Sequence, residues 1–390
     1  MKESIIIRNL GPLKDIEIRD IRPMTILIGD TGCGKSLLMK TLILFRYIYK
    51  MLNIRWYLRN SNVNKSRFKL SIGNLLSPEL KQYFGNKKLE VEYSVEINGH
   101  IHTVAYRNGA IDRSSTDKRI PNEDLVFLKE SWISEMRNLI PDWDTSGHTS
   151  RKKNRNFYFQ ETLNDFMEAS GDLTSIDLDY LGLSLSVVKK GESWKYYITP
   201  ADMSYPPLEW KYSSSGMQTS SSIPVLVRYF ASGFSFKDAI QRSIISYLYD
   251  SDALRQYNPQ LEPMDMQKYV HLHIEEPELN LFPSAQCGLI DEIVRNSFNS
   301  IPDDRRLRLI MATHSPYIVN YLNVIINRKD DDKDKKGRIK VEDLAVYRLY
   351  NGRLQSLIAE DEKGRKYVDT YDLTEQMEAI MNEYETLTES

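Results

Sequence analysis

Apolar positions along the chain fall into short strand-like runs and longer helical stripes, separated by polar turns. Met24-Thr25-Ile26-Leu27-Ile28 is apolar and β-branched, and predicts a buried strand. Leu37, Leu38, Leu42 and Phe45 then recur at helical spacing, predicting a helix that runs to about Tyr57. Ahead of them, Ser4–Arg8 and Lys14–Arg19 read as two strands around a Gly11-Pro12 turn. Leu89–Ile97 alternates apolar and polar residues and turns at Asn98-Gly99 into His102–Tyr106, a hairpin pattern. A helical stretch at Phe157–Ala169 and a hairpin of Leu183–Val188 with Trp194–Ile198, turning at Gly191, complete the middle of the chain.

After Trp210 an alternation of helices and strands returns. Helices are predicted from about Gly216 to Phe230, Phe236 to Leu248 and Pro283 to Asn296. Between and after them lie strands at about Tyr269–Ile274 and Leu307–Ala312. A hairpin, Leu344–Leu349 with Leu354–Ile358, and an amphipathic helix from about Thr374 to Tyr384 close the sequence. No internal repeat and no long heptad run is present.

Composition narrows the class. A chain of 390 residues is long enough for a large core and two lobes. The net charge of −2 gives no bulk basicity of the kind that nucleic-acid binding proteins display. The charge is uneven, however. Asn53–Asn156 holds 18 Lys and Arg against 12 Asp and Glu, a balance of +6, and the rest sums to −8. Arg151-Lys152-Lys153-Asn154-Arg155 is the densest basic cluster, readable as a solvated loop or as a contact for nucleic acid or a partner. Cys33 and Cys287 are too few for a disulfide framework or a cysteine metal cluster. The expected setting is a reducing cytoplasm, with no signal-peptide pattern in Met1–Asp20 and no apolar run of roughly 18 residues to span a membrane.

Candidate chemistry lies at the ends of the predicted strands. Gly29-Asp30-Thr31-Gly32-Cys33-Gly34-Lys35-Ser36 fits the phosphate-cradling loop, with a strand before it and a helix after it. In that setting backbone N–H groups and the helix N-terminus face phosphates, Lys35 reaches the β- and γ-phosphates, and Ser36 ligates Mg²⁺. His271-Leu272-His273-Ile274 ends in Glu275-Glu276. Paired carboxylates at a strand tip suit nucleotide hydrolysis, Glu275 for the metal and Glu276 for polarising the attacking water. His314, in Thr313-His314-Ser315 after another strand, would donate to the γ-phosphate or orient the water. Ser213-Ser214-Ser215-Gly216-Met217-Gln218 opens a helix and offers hydroxyls and free N–H groups to an anion.

Together these elements resemble the ABC-type ATPases, in the branch shared by structural-maintenance-of-chromosomes and overcoming-lysogenization-defect proteins. The resemblance covers about Met1–Tyr57 and Trp210–Ile358. Ser215-Gly216-Met217-Gln218 looks like the signature motif, with Met217 where a second glycine is usual and Ser214 where a leucine is usual. Glu275-Glu276-Pro277-Glu278 with Leu281-Phe282-Pro283 looks like the Walker B and D-loop, and Thr313-His314-Ser315-Pro316 like the switch-histidine loop. Asn9-Leu10-Gly11-Pro12 resembles the start of the branch, and no residue is assignable as the Q-loop glutamine. The resemblance implies an α/β P-loop NTPase of ABC type: a mixed central sheet with flanking helices, an N-terminal antiparallel β lobe and an inserted lobe. Residues 1–57 and 210–358 are expected to form the core, 58–209 the insertion, and 359–390 a C-terminal helical segment. It also implies that ATP, with Mg²⁺, is held at Gly29–Ser36 of one protomer and capped by Ser215, Gly216 and Gln218 of the other, in a head-to-tail pair. The chain has one phosphate loop and one such serine loop, about 180 residues apart, which independently favours a site built by two chains.

Three functional classes follow from the resemblance. The first is a sensor or regulatory ATPase of an anti-phage defence complex, similar to the ATPase subunits of the PARIS and Septu systems. Only about 75 residues follow His314 and Asp330-Asp331-Asp332 lies in a charged loop, so its effector, a nuclease for example, is expected on another polypeptide. The second is a DNA-repair or chromosome-maintenance ATPase without long arms. The third, a transporter's nucleotide-binding subunit, fits poorly, since such subunits dock on membrane helices and carry the signature nearer the phosphate loop.

Overall fold

A computed structural model describes residues 1–63, 72–144, 157–171, 173–190, 193–250, 254–299, 302, 305–329 and 336–389. The clusters Arg151–Arg155 and Asp330–Asp332 lie outside the described residues. A six-stranded sheet forms the centre, in the order Arg353–Ser356, Leu344–Tyr350, Met24–Ile28, Arg306–Thr313, Gln267–Glu275, Val126–Ile133. Its five inner pairings include four that are parallel, and only the Arg353–Ser356 edge is antiparallel. Parallel strands are covered on both faces, which is why Met24–Ile28 is buried at every position. The parallel register pairs Glu275 with Ala312 and Thr313 with Ile28. Three strand tips therefore end at one edge, the place where open α/β sheets bind ligands.

The fold is the expected α/β class, with a phosphate loop between the Met24–Ile28 strand and the helix Lys35–Asn60. That helix buries residues around its whole circumference, from Leu37 and Leu38 to Arg46, Tyr49 and Tyr57, as a helix running between two sheets must. Beside it stands an antiparallel sheet ordered Leu13–Ile18, Lys2–Leu10, Glu90–Ile97, His100–Arg107, Ala110–Ile111. A third sheet, Ser175–Leu178, Leu183–Lys190, Ser193–Pro200 and Leu208–Glu209, leads into the helix Ser215–Arg228.

The span 58–209 is thus woven into the rest rather than set apart. Its hairpin at Glu90–Arg107 extends the N-terminal sheet by pairing with Lys2–Leu10. Its strand Val126–Ile133, which the sequence reading did not find, is an edge of the central sheet. The charged pair Lys129-Glu130 interrupts the apolar run there, and each charge meets a distant residue. Lys129 Nζ bonds to Asp165 at 2.8 Å, and Glu130 to His271 Nδ1 at 2.6 Å.

A buried polar cluster joins the N-terminal sheet to the core. Glu3 is fully buried and accepts from Arg46 at 2.9 and 3.0 Å, from Arg308 at 3.1 Å and from Tyr93 at 2.5 Å. Arg46 also meets His273 Nε2 at 3.0 Å. Burial pushes the Glu3 carboxyl up, but Arg46, the His271 ring and Arg308 together hold it well below the usual carboxylate range.

Candidate nucleotide-binding site

The phosphate loop leaves the central sheet at Ile28 and enters the helix at Lys35. Gly34 caps the helix at φ 109°, a left-handed conformation that suits glycine, and no side chain caps this N-terminus. The first-turn N–H groups are thus free of side-chain acceptors and aimed where an anion binds. Lys35 Nζ crosses its own loop, donating to the carbonyls of Gly29 at 2.8 Å and Asp30 at 3.1 Å, with Cys33 Sγ at 3.8 Å. Burial lowers its pKa from the ordinary lysine value.

Opposite the loop, Glu275 ends its strand almost fully buried. Burial, and then the adjoining Glu135 carboxyl, push its pKa up to about 8, while the Ser36 hydroxyl and Lys40 act the other way. Glu135 is shifted the other way: burial raises it, and bonds from the Glu275 carboxyl and Ser134 with the charge of Lys40 bring it down. Glu275 Oε2 has no hydrogen-bond partner among the described residues. Ser36 and Glu275, which both line the same cavity, fit Mg²⁺, a hard cation that takes one or two carboxylates and completes its shell with water and phosphate. No group of three His, Cys, Asp or Glu among the described residues is arranged to hold a metal. Any cation at Glu275 therefore draws its remaining ligands from the hydroxyl, water and substrate.

Glu276 has a left-handed backbone, φ 44°, and its N–H donates to Ala312 O at 2.8 Å. This turn brings its carboxylate out of the sheet, with Oε1 3.7 Å from His314 Nε2. Glu278 builds the histidine loop, accepting from His314 N at 2.6 Å and Thr313 Oγ1 at 2.9 Å. Its role, like that of Glu135, was not read from the sequence; the only sequence signal was the acid two positions after Glu276.

Thr31, Gly32, Gly34, Lys35, Ser36, Glu275, Glu276 and His314 line a single cavity of about 400 Å³, together with Pro12, Lys40, Glu79 and Tyr83. Gly29, Asp30 and Cys33 stand behind it as the partners of Lys35. Ser215, Gly216 and Gln218 do not line it. Ser215 is exposed at the start of its helix, where Ser214 Oγ caps by accepting from Met217 N at 3.4 Å. Gln218 Nε2 donates to Lys211 O and Ser213 O, at 2.7 and 3.1 Å, and so holds the loop that precedes the helix. Gly216 is buried, and a Cβ on it would lie 2.6 Å from Asn280 O. Gly216→Ala must push the 279–281 turn outward, with an expected loss of about 1–3 kcal/mol, readable as a lower urea midpoint at unchanged m.

No family model matches the chain, and no curated protein matches it. Among solved structures it is similar to the SMC head domain from Thermotoga maritima: 12% identity over 93% of this chain and 100% of that one, TM-score 0.35. It is also similar to an SMC head bound to the C-terminal winged-helix domain of ScpA, with 11% identity, 93% and 99% coverage and TM-score 0.37. A third is the recombination mediator protein RecF of the RecFOR pathway, with 10% identity, 91% and 98% coverage and TM-score 0.35.

Proposed function

We propose that the protein is an ABC-type ATPase that hydrolyses ATP with Mg²⁺, at a site completed by a second copy of the chain. The observation that carries this reading is the convergence of Lys35, Ser36, Glu275, Glu276 and His314 on one cavity, with Ser215 exposed outside it. The loop N–H groups and Lys35 bind the phosphates. Ser36 and Glu275 would hold Mg²⁺, which supplies charge neutralisation on the phosphate oxygens when bound. Glu276 orients and polarises the water, and His314 donates to the γ-phosphate or orients that water. The serine helix is buried along most of its length and presents its exposed N-terminus, at Ser214 and Ser215, to the nucleotide of the partner chain.

The finer reading is a regulatory ATPase of an anti-phage defence complex, working through a separate effector. It rests on the motif resemblance. The positive balance of Asn53–Asn156 favours a second reading, a DNA-maintenance ATPase. Duplex binding that weakens steeply with salt supports the second, and its absence supports the first.

The test of the ATPase reading is phosphate release with and without Mg²⁺ across a range of protein concentrations. Turnover per chain is expected to need Mg²⁺ and to rise with concentration. ATP binding without release at any concentration would overturn the reading. Lys35→Ala removes a charged donor worth about 1.5–3 kcal/mol, so calorimetry is expected to show ATP binding roughly 10–100-fold weaker.

A further inference from the structure

One buried cation is not used by the chemistry just described. Arg137 has no exposed surface, yet lies two residues after Glu135 among four carboxylates. Its hydrogen bonds go to backbone carbonyls from three separate segments. Nη1 donates to Glu275 O at 2.7 Å and to Ser134 O at 3.0 Å. Nη2 donates to Glu276 O at 2.6 Å, and Nε to Thr219 O at 2.8 Å. A guanidinium presents its donors in a rigid fork, so bonds in these directions fix the segments relative to one another.

Two of the segments matter to function. Glu276 O belongs to the residue held at φ 44°, a conformation that costs a non-glycine residue energy and persists only where its surroundings impose it. The Ala312 carbonyl holds the N–H of that residue and Arg137 its C=O, so both peptide units flanking it are fixed. Thr219 O belongs to the first turns of the serine-rich helix. The same helix is tied to the turn after Glu278, because Thr219 Oγ1 donates to Leu279 O at 3.0 Å and Gly216 packs on Asn280 O. One side chain thus spans the distance between the carboxylate of the chain's own site and the helix it would offer to a partner.

We propose that Arg137 is a positioning residue that sets the Glu276 carboxylate and couples it to the position of the Ser215–Arg228 helix. Docking of a partner's nucleotide on that helix is then felt at Glu276 through Thr219 O, Arg137 and Glu276 O. This rests on the ATPase reading above. The coupling is specific to the guanidinium, because an ammonium cannot reach carbonyls of the three segments in the same fork.

The test is to compare Arg137→Lys and Arg137→Ala with the wild type for ATP affinity, kcat, unfolding midpoint and response to added guanidinium chloride at non-denaturing concentration. A misplaced reacting group costs about 10²-fold, so kcat is expected to fall by about that factor, with ATP affinity changed less than about threefold. Guanidinium is expected to restore part of the kcat of Arg137→Ala and none of that of Arg137→Lys, whose side chain fills the space. A folded variant with wild-type kcat overturns the proposal. So does a parallel loss of affinity, kcat and fold in both variants without rescue, which marks a purely structural residue. Absence of turnover in the wild type overturns the ATPase reading instead.

Discussion

Glu276→Gln is expected to lower ATP turnover by about 10²–10⁴-fold while leaving nucleotide affinity near the wild-type level. Glutamine keeps the volume of the side chain and tolerates the same left-handed backbone no worse than glutamate does, so the turn at Glu276 survives. What it loses is the negative charge and the capacity to accept a proton from water. Lys35, Ser36 and the helix N-terminus, which bind the phosphates, are untouched. The variant should accumulate as an ATP-bound pair, visible as a shift to larger size in gel filtration with ATP and not with ADP. Normal turnover would move the water-polarising role elsewhere. His314, 3.7 Å away, would be the first residue to examine.

The largest stability effect is expected at the opposite end of the sheet. Glu3→Ala leaves Arg46 fully buried, and Arg308 half-buried, without their shared counter-charge, and breaking a buried ion pair in this way costs about 3–5 kcal/mol. The urea midpoint reports it. The same residue sets an acid dependence. Its folded pKa lies below the unfolded value of about 4.3, so its stabilisation is complete above that value and is lost as pH falls through the folded one. Unfolding midpoints of the wild type should therefore drop on acidification below about pH 4, and Glu3→Gln should flatten that drop.

The phosphate loop and the strand tips were legible because each is a contiguous run whose chemistry and secondary structure lie side by side in the sequence. The Tyr269–Ile274 run reads as a strand that meets Glu275 and Glu276, and the structure ends the strand at Glu275 with Glu276 just beyond it. Val126–Ile133 was not legible, because its Lys129 and Glu130 look solvated until Asp165 and His271 come beside them. Glu135 and Arg137 were hidden for the same reason, with Arg137 meeting carbonyls 138 and 139 positions away. Glu3 reads as a surface acid near the start of a chain, and its partner Arg308 lies 305 positions on. Gln218 shows the reverse case. Its place in a motif suggests a ligand contact, and local geometry gives both its donors to the preceding loop.

The Glu3 cluster also decides where the molecule can bend. It clamps the first strand to the long helix through Arg46 and to the central sheet through Arg308. A hinge between these layers would have to expose or separate buried charges, so they move as one rigid body. Any displacement driven by nucleotide is thereby directed to the other flank, where the serine-rich helix adjoins the strand tips through Arg137, the Thr219–Leu279 hydrogen bond and the Gly216 contact.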